Sequence, residues 1–385
     1  MGSVMRKYKL REILEGNLFT DGDWIESKDQ DPNGKIRLIQ LADIGDGYFI
    51  DKSSRYINSE TARKLKCTFL SKGDVLVARM PDPLGRATVF PLKGERQYIT
   101  AVDVCIIRPP DHCESKYIMY AINSSKVRLE IGRQSTGTTR KRISRKKLGE
   151  ISIPLPPLTT QKRIATILDD AQALKQKNEQ LLKEYDELAQ SIFLDMFGDP
   201  VTNPKGWEVK TIEDVSENRD SNRVPIKKDD RANIQGIYPY YGATGIVDFI
   251  NDFKFEGEYL LIAEDGKNLV NRKKPIAWLA KGKFWVNNHA HVVEYNGRAN
   301  LTFLSFQLNN IDISKFITGI DQFKLNRGNL NRISVYVPPL KLQNQFAEKI
   351  KLIEQQKELA KKELKESKDL FQALLQKAFN NTLNV

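Results

Sequence analysis

Cysteine is scarce in this sequence: Cys67, Cys105 and Cys113 are the only three in 385 residues. Three thiols cannot pair off completely, which excludes a full disulfide framework and suits a reducing cytoplasm. His112 beside Cys113 invites a metal reading, but no second ligand pair stands at zinc spacing, so a structural role is expected there. Long apolar runs are missing too. No stretch approaches the roughly 20 residues of a membrane-spanning helix, and a hydrophobic content of 40% fits a globular chain. The opening "MGSVM" is not followed by an apolar segment, so no secretory signal is read in it, and Gly2-Ser3 resembles a cloning scar.

Signatures of chemistry are equally absent. There is no Walker loop, no helicase signature and no glycine-rich dinucleotide fingerprint. Nothing matches the Asn/Asp-Pro-Pro-aromatic tetrapeptide of amino-methyltransferases. "EVK" at Glu208–Lys210 and "DFK" at Asp252–Lys254 resemble the last part of a nuclease metal site, but neither follows a Pro-Asp at suitable spacing. His289 and His291 alternate in a strand-like run and so share a face, yet no Asp, Glu or Cys is placed to complete a metal site with them. Packing or DNA contact is their expected role. We therefore expect no catalytic residue, no metal and no cofactor in this chain.

Positive charge is what the sequence has in excess. With 61 Lys and Arg against 49 Asp and Glu, the net charge is +12, which points to a polyanionic partner. The charge is concentrated. "RQSTGTTRKRISRKK", Arg133–Lys147, contains seven cations and no acid, and its glycine, serine and threonine add flexibility and hydroxyl donors suited to phosphates. Arg140, Lys141 and Arg142 are the expected phosphate contacts, and a merely solvated basic loop is the alternative.

The chain also repeats itself. "ISIPLPPLTTQ" at Ile151–Gln161 returns as "ISVYVPPLKLQ" at Ile333–Gln343, an offset of 182 positions. At the same offset Thr136-Gly137 falls on Thr318-Gly319, Arg145 on Arg327, Leu148 on Leu330, Ala165 on Ala347 and Phe197 on Phe379, without a gap. "YKLREIL" at Tyr8–Leu14 resembles "WEVKTIEDV" at Trp207–Val215, now at an offset of 199, so the first variable segment is longer by 17 residues. The segments between these anchors do not resemble each other. Such a pattern marks a duplicated unit, here a variable block followed by a shared helix, twice.

Each double proline is followed by a long helical pattern. Ile164, Ile167, Ala171, Leu174, Leu181, Leu188 and Ile192 recur at spacings of three and four, as do Phe346, Ile350, Ile353, Ala360, Leu364, Phe371, Leu374 and Ala378. Thr159 or Thr160 is the expected cap of the first helix and Gly198-Asp199-Pro200 its end. Asn178 and Lys357 interrupt the stripes as polar register-fixing residues. The pattern predicts an antiparallel two-helix coiled coil roughly 55 Å long, a span of about 16 base pairs of B-DNA. A rod of that kind with a basic module at each end would act as a ruler.

The variable blocks read as mixed, strand-rich domains. "KGDVLVARM", "GRATVF" and "AVDVCIIRP" in the first, and "EGEYLLIAEDG" and "KGKFWVNNHAHVVEY" in the second, have strand composition bounded by glycine and proline. The expected fold class is α+β, with a first target-recognition domain over 1–158, a spacer helix over 159–199, a second recognition domain over 200–340 and a second spacer helix over 341–385. Candidate DNA contacts in the first domain are Arg79, Arg86, Arg133, Thr138, Arg140, Lys141 and Arg142. In the second they are Tyr238, Tyr240, Tyr241, Lys267, Asn268, Arg272, Asn288, His289, His291, Lys324 and Arg327.

The hinge and helix in duplicate, with dissimilar blocks between, resemble the specificity subunits of type I restriction-modification systems, the HsdS family. "YPYYGATG", "EYLLIAEDG" and "FWVNNHAHVV" also resemble a recurrent recognition domain of that family. The resemblance covers nearly the whole chain. It implies a non-catalytic subunit that binds a bipartite, asymmetric duplex target and recruits two methyltransferase subunits, which methylate adenine with S-adenosylmethionine. Restriction subunits join through them for ATP- and Mg-dependent translocation and cleavage, in defence against foreign DNA. A nuclease or methyltransferase with an unrecognised site, and a coiled-coil scaffold without DNA, are the other classes open to a sequence of this kind.

Overall fold

The 182-residue offset of the sequence is also an offset in structure. The computed structural model describes residues 6–92, 96–380 and 382–383, so "MGSVM" lies outside the described residues. The chain divides into two compact units: residues up to Asn178 together with those from Glu363 onward, and Glu179–Lys362. Each unit therefore contains one variable block and half of each long helix.

In unit 1 the start and end of the block are tied by an antiparallel pair, Lys7–Lys9 with Ser152–Pro154, in the register Tyr8 to Ile153. Between them lies an antiparallel sheet in the order Phe19–Asp21, Val104–Ile107, Val75–Ala78, Ala87–Val89. The runs "VLVA" and "VCII" are apolar at every position because this sheet is covered on both faces. Val75, Val77, Cys105 and Ile107 pack on Tyr117, Ile118 and Ile122 of the helix Ser115–Asn123. The alternate residues Leu76, Ala78, Val104 and Ile106 pack on Ile39 and Phe90. A smaller sheet runs Arg55–Ile57, Ile36–Ile39, Tyr98–Thr100.

Unit 2 repeats the tie with Val209–Thr211 and Ser334–Tyr336, in the register Lys210 to Val335. Its block is a six-stranded sheet in the order Ser216–Asn218, Ala290–Tyr295, Phe255–Ala263, Ala277–Val286, Gln235–Gly242, Gly245–Ile250. The strand Phe255–Ala263 again divides its residues between two cores, Leu260 and Ile262 on one side and Phe255 and Leu261 on the other. Asn300 caps the helix Leu301–Asn310 that closes this core.

The hinge has the same construction in both units. Gln161 Nε2 donates to Pro156 O at 2.8 Å while its Oε1 accepts from Glu114 N at 2.9 Å. Gln343 Nε2 donates to Pro338 O at 2.7 Å and its Oε1 accepts from Asn300 N at 2.8 Å. Glu114 and Asn300 are the residues just before the block's core helix. One buried amide thus fixes the strand, the long helix and the recognition block at a single point.

The long helices run Leu158–Phe197 and Leu340–Phe379, 40 residues each. The first begins directly after Pro157, so Thr159 and Thr160 lie in its first turn rather than capping it. Gly198, at φ 83°, ends it. The helices pair antiparallel within each unit, since partners with rising numbers on one have falling numbers on the other. In unit 1 Lys175 lies over the Phe371 ring and Asn178 Nδ2 donates to Ser367 Oγ at 3.4 Å. In unit 2 Asp186 meets Lys357 at 2.8 Å and Phe193 packs on Phe346.

The stripe expected for this seam needs correction. Ile164, Phe346, Ile350 and Ile353 are buried, and Ile167, Leu181, Leu364 and Leu374 are half-buried, but Leu174 and Leu188 are each 45% exposed. Ala171 and Asn178 of the expected stripe do face inward, joined by Leu168, Gln172, Ala189 and Phe193, which the stripe did not include. All three cysteines are free. Among the described residues, no helix is long and apolar enough to cross a membrane.

Candidate nucleic-acid interface

Each unit presents one loop of identical frame. In unit 1 the backbones of Thr136 and Arg142 exchange two hydrogen bonds, at 2.9 and 2.8 Å. In unit 2 Thr318 and Lys324 do the same, both at 2.8 Å. The threonine is followed in each by a glycine in the left-handed region, Gly137 at φ 100° and Gly319 at φ 89°. A Cβ there would run into the carbonyl of Arg140 or of Gln322, so glycine is required for the loop to return on itself. Beyond the loop a buried residue pairs with the unit's core: Ile143 N donates to Arg79 O at 3.1 Å, and Leu325 N to Glu264 O at 2.7 Å. A capped turn of helix follows, Arg145–Gly149 behind Ser144 and Arg327–Asn331 behind Asn326.

Unit 1 surrounds its loop with cations. Arg133, Arg140, Lys141, Arg145, Lys146 and Lys147 are exposed, and Thr138 is exposed at the tip. Arg142 is partly committed, paired with Asp103 at 3.1 Å. Arg79 and Arg86 are not part of this surface. Arg79 pairs with Asp21 at 2.9 Å and donates to Val102 O, and burial lowers its pKa. Arg86 donates to the carbonyls of Ile44 and Leu41 at 2.6 and 2.8 Å. Both guanidiniums satisfy buried acceptors, and the expectation that they contact DNA is withdrawn.

A family model described as the type I restriction modification DNA specificity domain matches residues 3–184 and again 204–368. The chain belongs to this family. A type I restriction enzyme specificity subunit of Haemophilus influenzae is 37% identical over 139 residues, 36% of this chain but only 35% of that protein's length. The MjaIX specificity subunit of Methanocaldococcus jannaschii is 22% identical over 76% of this chain and 74% of its own. A solved S subunit of a type I restriction-modification system from M. genitalium shares the fold, with a TM-score of 0.60, 19% identity, and coverage of 98% of this chain and 96% of that one.

The second specificity domain scatters the residues expected at its interface. Tyr240 is buried, its hydroxyl accepting from Ile226 N at 2.9 Å, with Arg231 over its ring. Tyr241 packs edge-on against Phe284, and Tyr238 against Phe253. Asn268 closes the turn to Lys274 through two hydrogen bonds at 2.9 Å. Arg272 donates to the carbonyls of Leu308 and Ile311, and burial lowers its pKa. Tyr240, Arg272 and the buried His291 are structural, which corrects their assignment as contacts. Lys267, Asn288 and Arg327 are exposed, as is His289, whose Nδ1 lies 2.5 Å from Asp265.

The partners of His291 went unread because they are distant in sequence. Its Nδ1 faces Asp220 at 2.6 Å and its Nε2 faces Leu325 O at 2.7 Å, with Glu264 at 3.7 Å. Asp220, Glu264 and His291 form a group with the spacing of metal ligands, contrary to the expected absence of a carboxylate beside the histidine. Arg223 bonds both carboxylates, at 2.6 and 3.3 Å, and Lys324 reaches Glu264 at 3.3 Å. Protein cations already neutralise the acids, so the group serves as an ion network under the loop. Burial pushes the Asp220 carboxyl up, but His291, the Val292 N–H and Arg223 outweigh it and hold it below the usual range. Lys324 thus braces the loop from below as well as closing its frame. The tip residues Ile320, Asp321 and Gln322 were not among the expected contacts, although the offset of 182 from Thr138, Thr139 and Arg140 marks them.

Proposed function

We propose that this chain is the DNA sequence-specificity subunit of a type I restriction-modification assembly. It binds a bipartite, asymmetric duplex target, one half-site to each recognition block, with the long helices spacing the halves. Two adenine methyltransferase subunits dock on it, and restriction subunits join through them. S-adenosylmethionine, ATP and Mg act in those partners, and the free thiols here suit the cytoplasm. The observation that carries this reading is the duplicated frame of hinge and loop in two blocks of different fold detail. Docking of the partners is supported by Leu174 and Leu188 on one long helix and Leu352 and Leu359 on the other. They are exposed at heptad-related spacing, away from the seam.

The test is co-purification with its cognate methyltransferase subunit, followed by sequencing of methylated sites. One asymmetric sequence in two parts, methylated only by the complex, is expected. Turnover by the isolated chain on DNA with Mg²⁺ and S-adenosylmethionine would make it an enzyme. Binding to the partner without any response to DNA would make it a scaffold.

A further inference from the structure

The two framed loops share their backbone construction and differ in their tips. Their closing pairs, glycines, buried exits and capped turns coincide, but the tips read Thr138-Thr139-Arg140 in unit 1 and Ile320-Asp321-Gln322 in unit 2. All six tip residues are exposed, Ile320 to 89%, and none of their side chains has a partner within the chain among the described residues. A frame of this kind leaves the tip side chains free to meet a ligand. Charge-led binding of backbone phosphate does not suit both tips, because the unit 2 tip has an acid and no cation. Base edges accommodate both tips: the arginine fork fits guanine O6 and N7, the glutamine amide fits adenine N6 and N7, the aspartate accepts from cytosine N4, and isoleucine or threonine methyls meet thymine. The returning backbone of such a loop is narrow enough for the major groove, about 12 Å wide.

On the reading of the chain as a specificity subunit, we infer that Thr138–Arg140 and Ile320–Gln322 are the base-reading elements of the two half-sites. Flanking cations such as Lys141 and Lys146 hold the phosphates. The buried ion groups beneath, Arg79 with Asp21 and His291 with Asp220 and Glu264, position the tips without touching DNA.

The test uses the complex with its methyltransferase partner, comparing the parent with Arg140→Lys, Arg140→Ala and Gln322→Ala. Methylated sites are sequenced and duplex binding is titrated at several salt concentrations. Arg140→Lys keeps the charge and loses the fork. It is expected to leave the salt slope unchanged and to lower discrimination at one position of one half-site by about 10- to 100-fold. Gln322→Ala is expected to do the same in the other half alone. Because the tips are exposed, the variants are expected to melt as the parent does, which thermal melts check. If Arg140→Lys and Gln322→Ala methylate the parental sequence with parental discrimination, or if Arg140→Ala weakens all sequences equally with a flatter salt slope, the tips do not read bases. A parent complex that methylates no two-part sequence would overturn the specificity-subunit reading as well, an outcome visible before any variant is made.

Discussion

Arg86 sits where separate turns of the first block bring their carbonyls together, at Ile44, Leu41 and Pro83, 2.6 to 3.1 Å from its nitrogens. Replacing it with alanine orphans these buried acceptors, so Arg86→Ala is expected to cost about 3 kcal/mol of unfolding free energy. Arg86→Lys should restore little, since one ammonium cannot span the same fork. Urea unfolding measures both, and a loss of DNA affinity at unchanged stability would contradict the structural role. Asp23 gives a pH signature. Burial raises its pKa to about 6, against the opposing Thr68 N–H and Cys67 thiol. The folded state then binds the proton more tightly than the unfolded chain, so this group's contribution is fully present below about pH 4 and is lost as pH rises through 6. Discounted for partial exposure, the effect is about 1 kcal/mol. Thermal melts at pH 5 and 7.5 should show it in the parent and not in Asp23→Asn; an equal pH response in both would assign it elsewhere. Arg79, Arg86, Arg272 and His291 all read as surface contacts from sequence because acceptors that hold them lie 23 to 71 positions away. Arg140 and Lys141 were legible as exposed because an acid-free, glycine- and threonine-rich segment offers no local partner and cannot pack, whereas Arg133 is exposed in the last turn of a helix, 3.9 Å from Glu130.

At the scale of elements, the hinge and both long helices were legible, because a double proline before a 3.6-period pattern has few other meanings. The face of the helix was not. Within the expected stripe of the first helix, Leu174 and Leu188 stay exposed while Ile164, Ala171 and Asn178 turn inward, beside Leu168 and Gln172 from the neighbouring positions. Hydrophobicity ranks leucine first, but close helix approach favours small residues, and Asn178 has Ser367 as a partner. The hinge glutamine makes a sharper prediction. Gln161→Ala leaves Glu114 N and Pro156 O without their partners, at an expected cost of about 2 to 3 kcal/mol. Hydrogen exchange should rise around Ser115–Asn123 and not around Leu301–Asn310; a uniform rise would mean that the hinge is not local to its unit. The basic segment is tested by changing Lys141, Lys146 and Lys147 together to Ala. About three fewer counterions released should lower the slope of log affinity against log salt by roughly 2 to 3. An unchanged slope would remove this segment from the DNA.

For the whole molecule, the repeat separates what is shared from what varies. The end ties, hinges, loop frames and long helices recur in both units, while the sheets between them differ in strand number and order. Shared parts are expected if the same kind of partner is served twice, and divergent parts if each block meets a different half of the DNA. On the proposed function the block is an exchangeable unit, and the paired ends mark its limits. Replacing Ile212–Arg332 with the matching block of a relative keeps the tie of Val209–Thr211 with Ser334–Tyr336, Gln343 and both helices, and carries the loop tip Ile320–Gln322 along with its own support. A cut before Thr318 would instead seat the old tip on a foreign ion network, without Glu264, His291 or the Leu325 contact that brace it. The full exchange is expected to alter one half of the methylated sequence and to leave the other half and the association with methyltransferase unchanged. Sequencing methylated sites of the chimera decides between modules and a joint surface, since a change in both halves would mean that the blocks read DNA together.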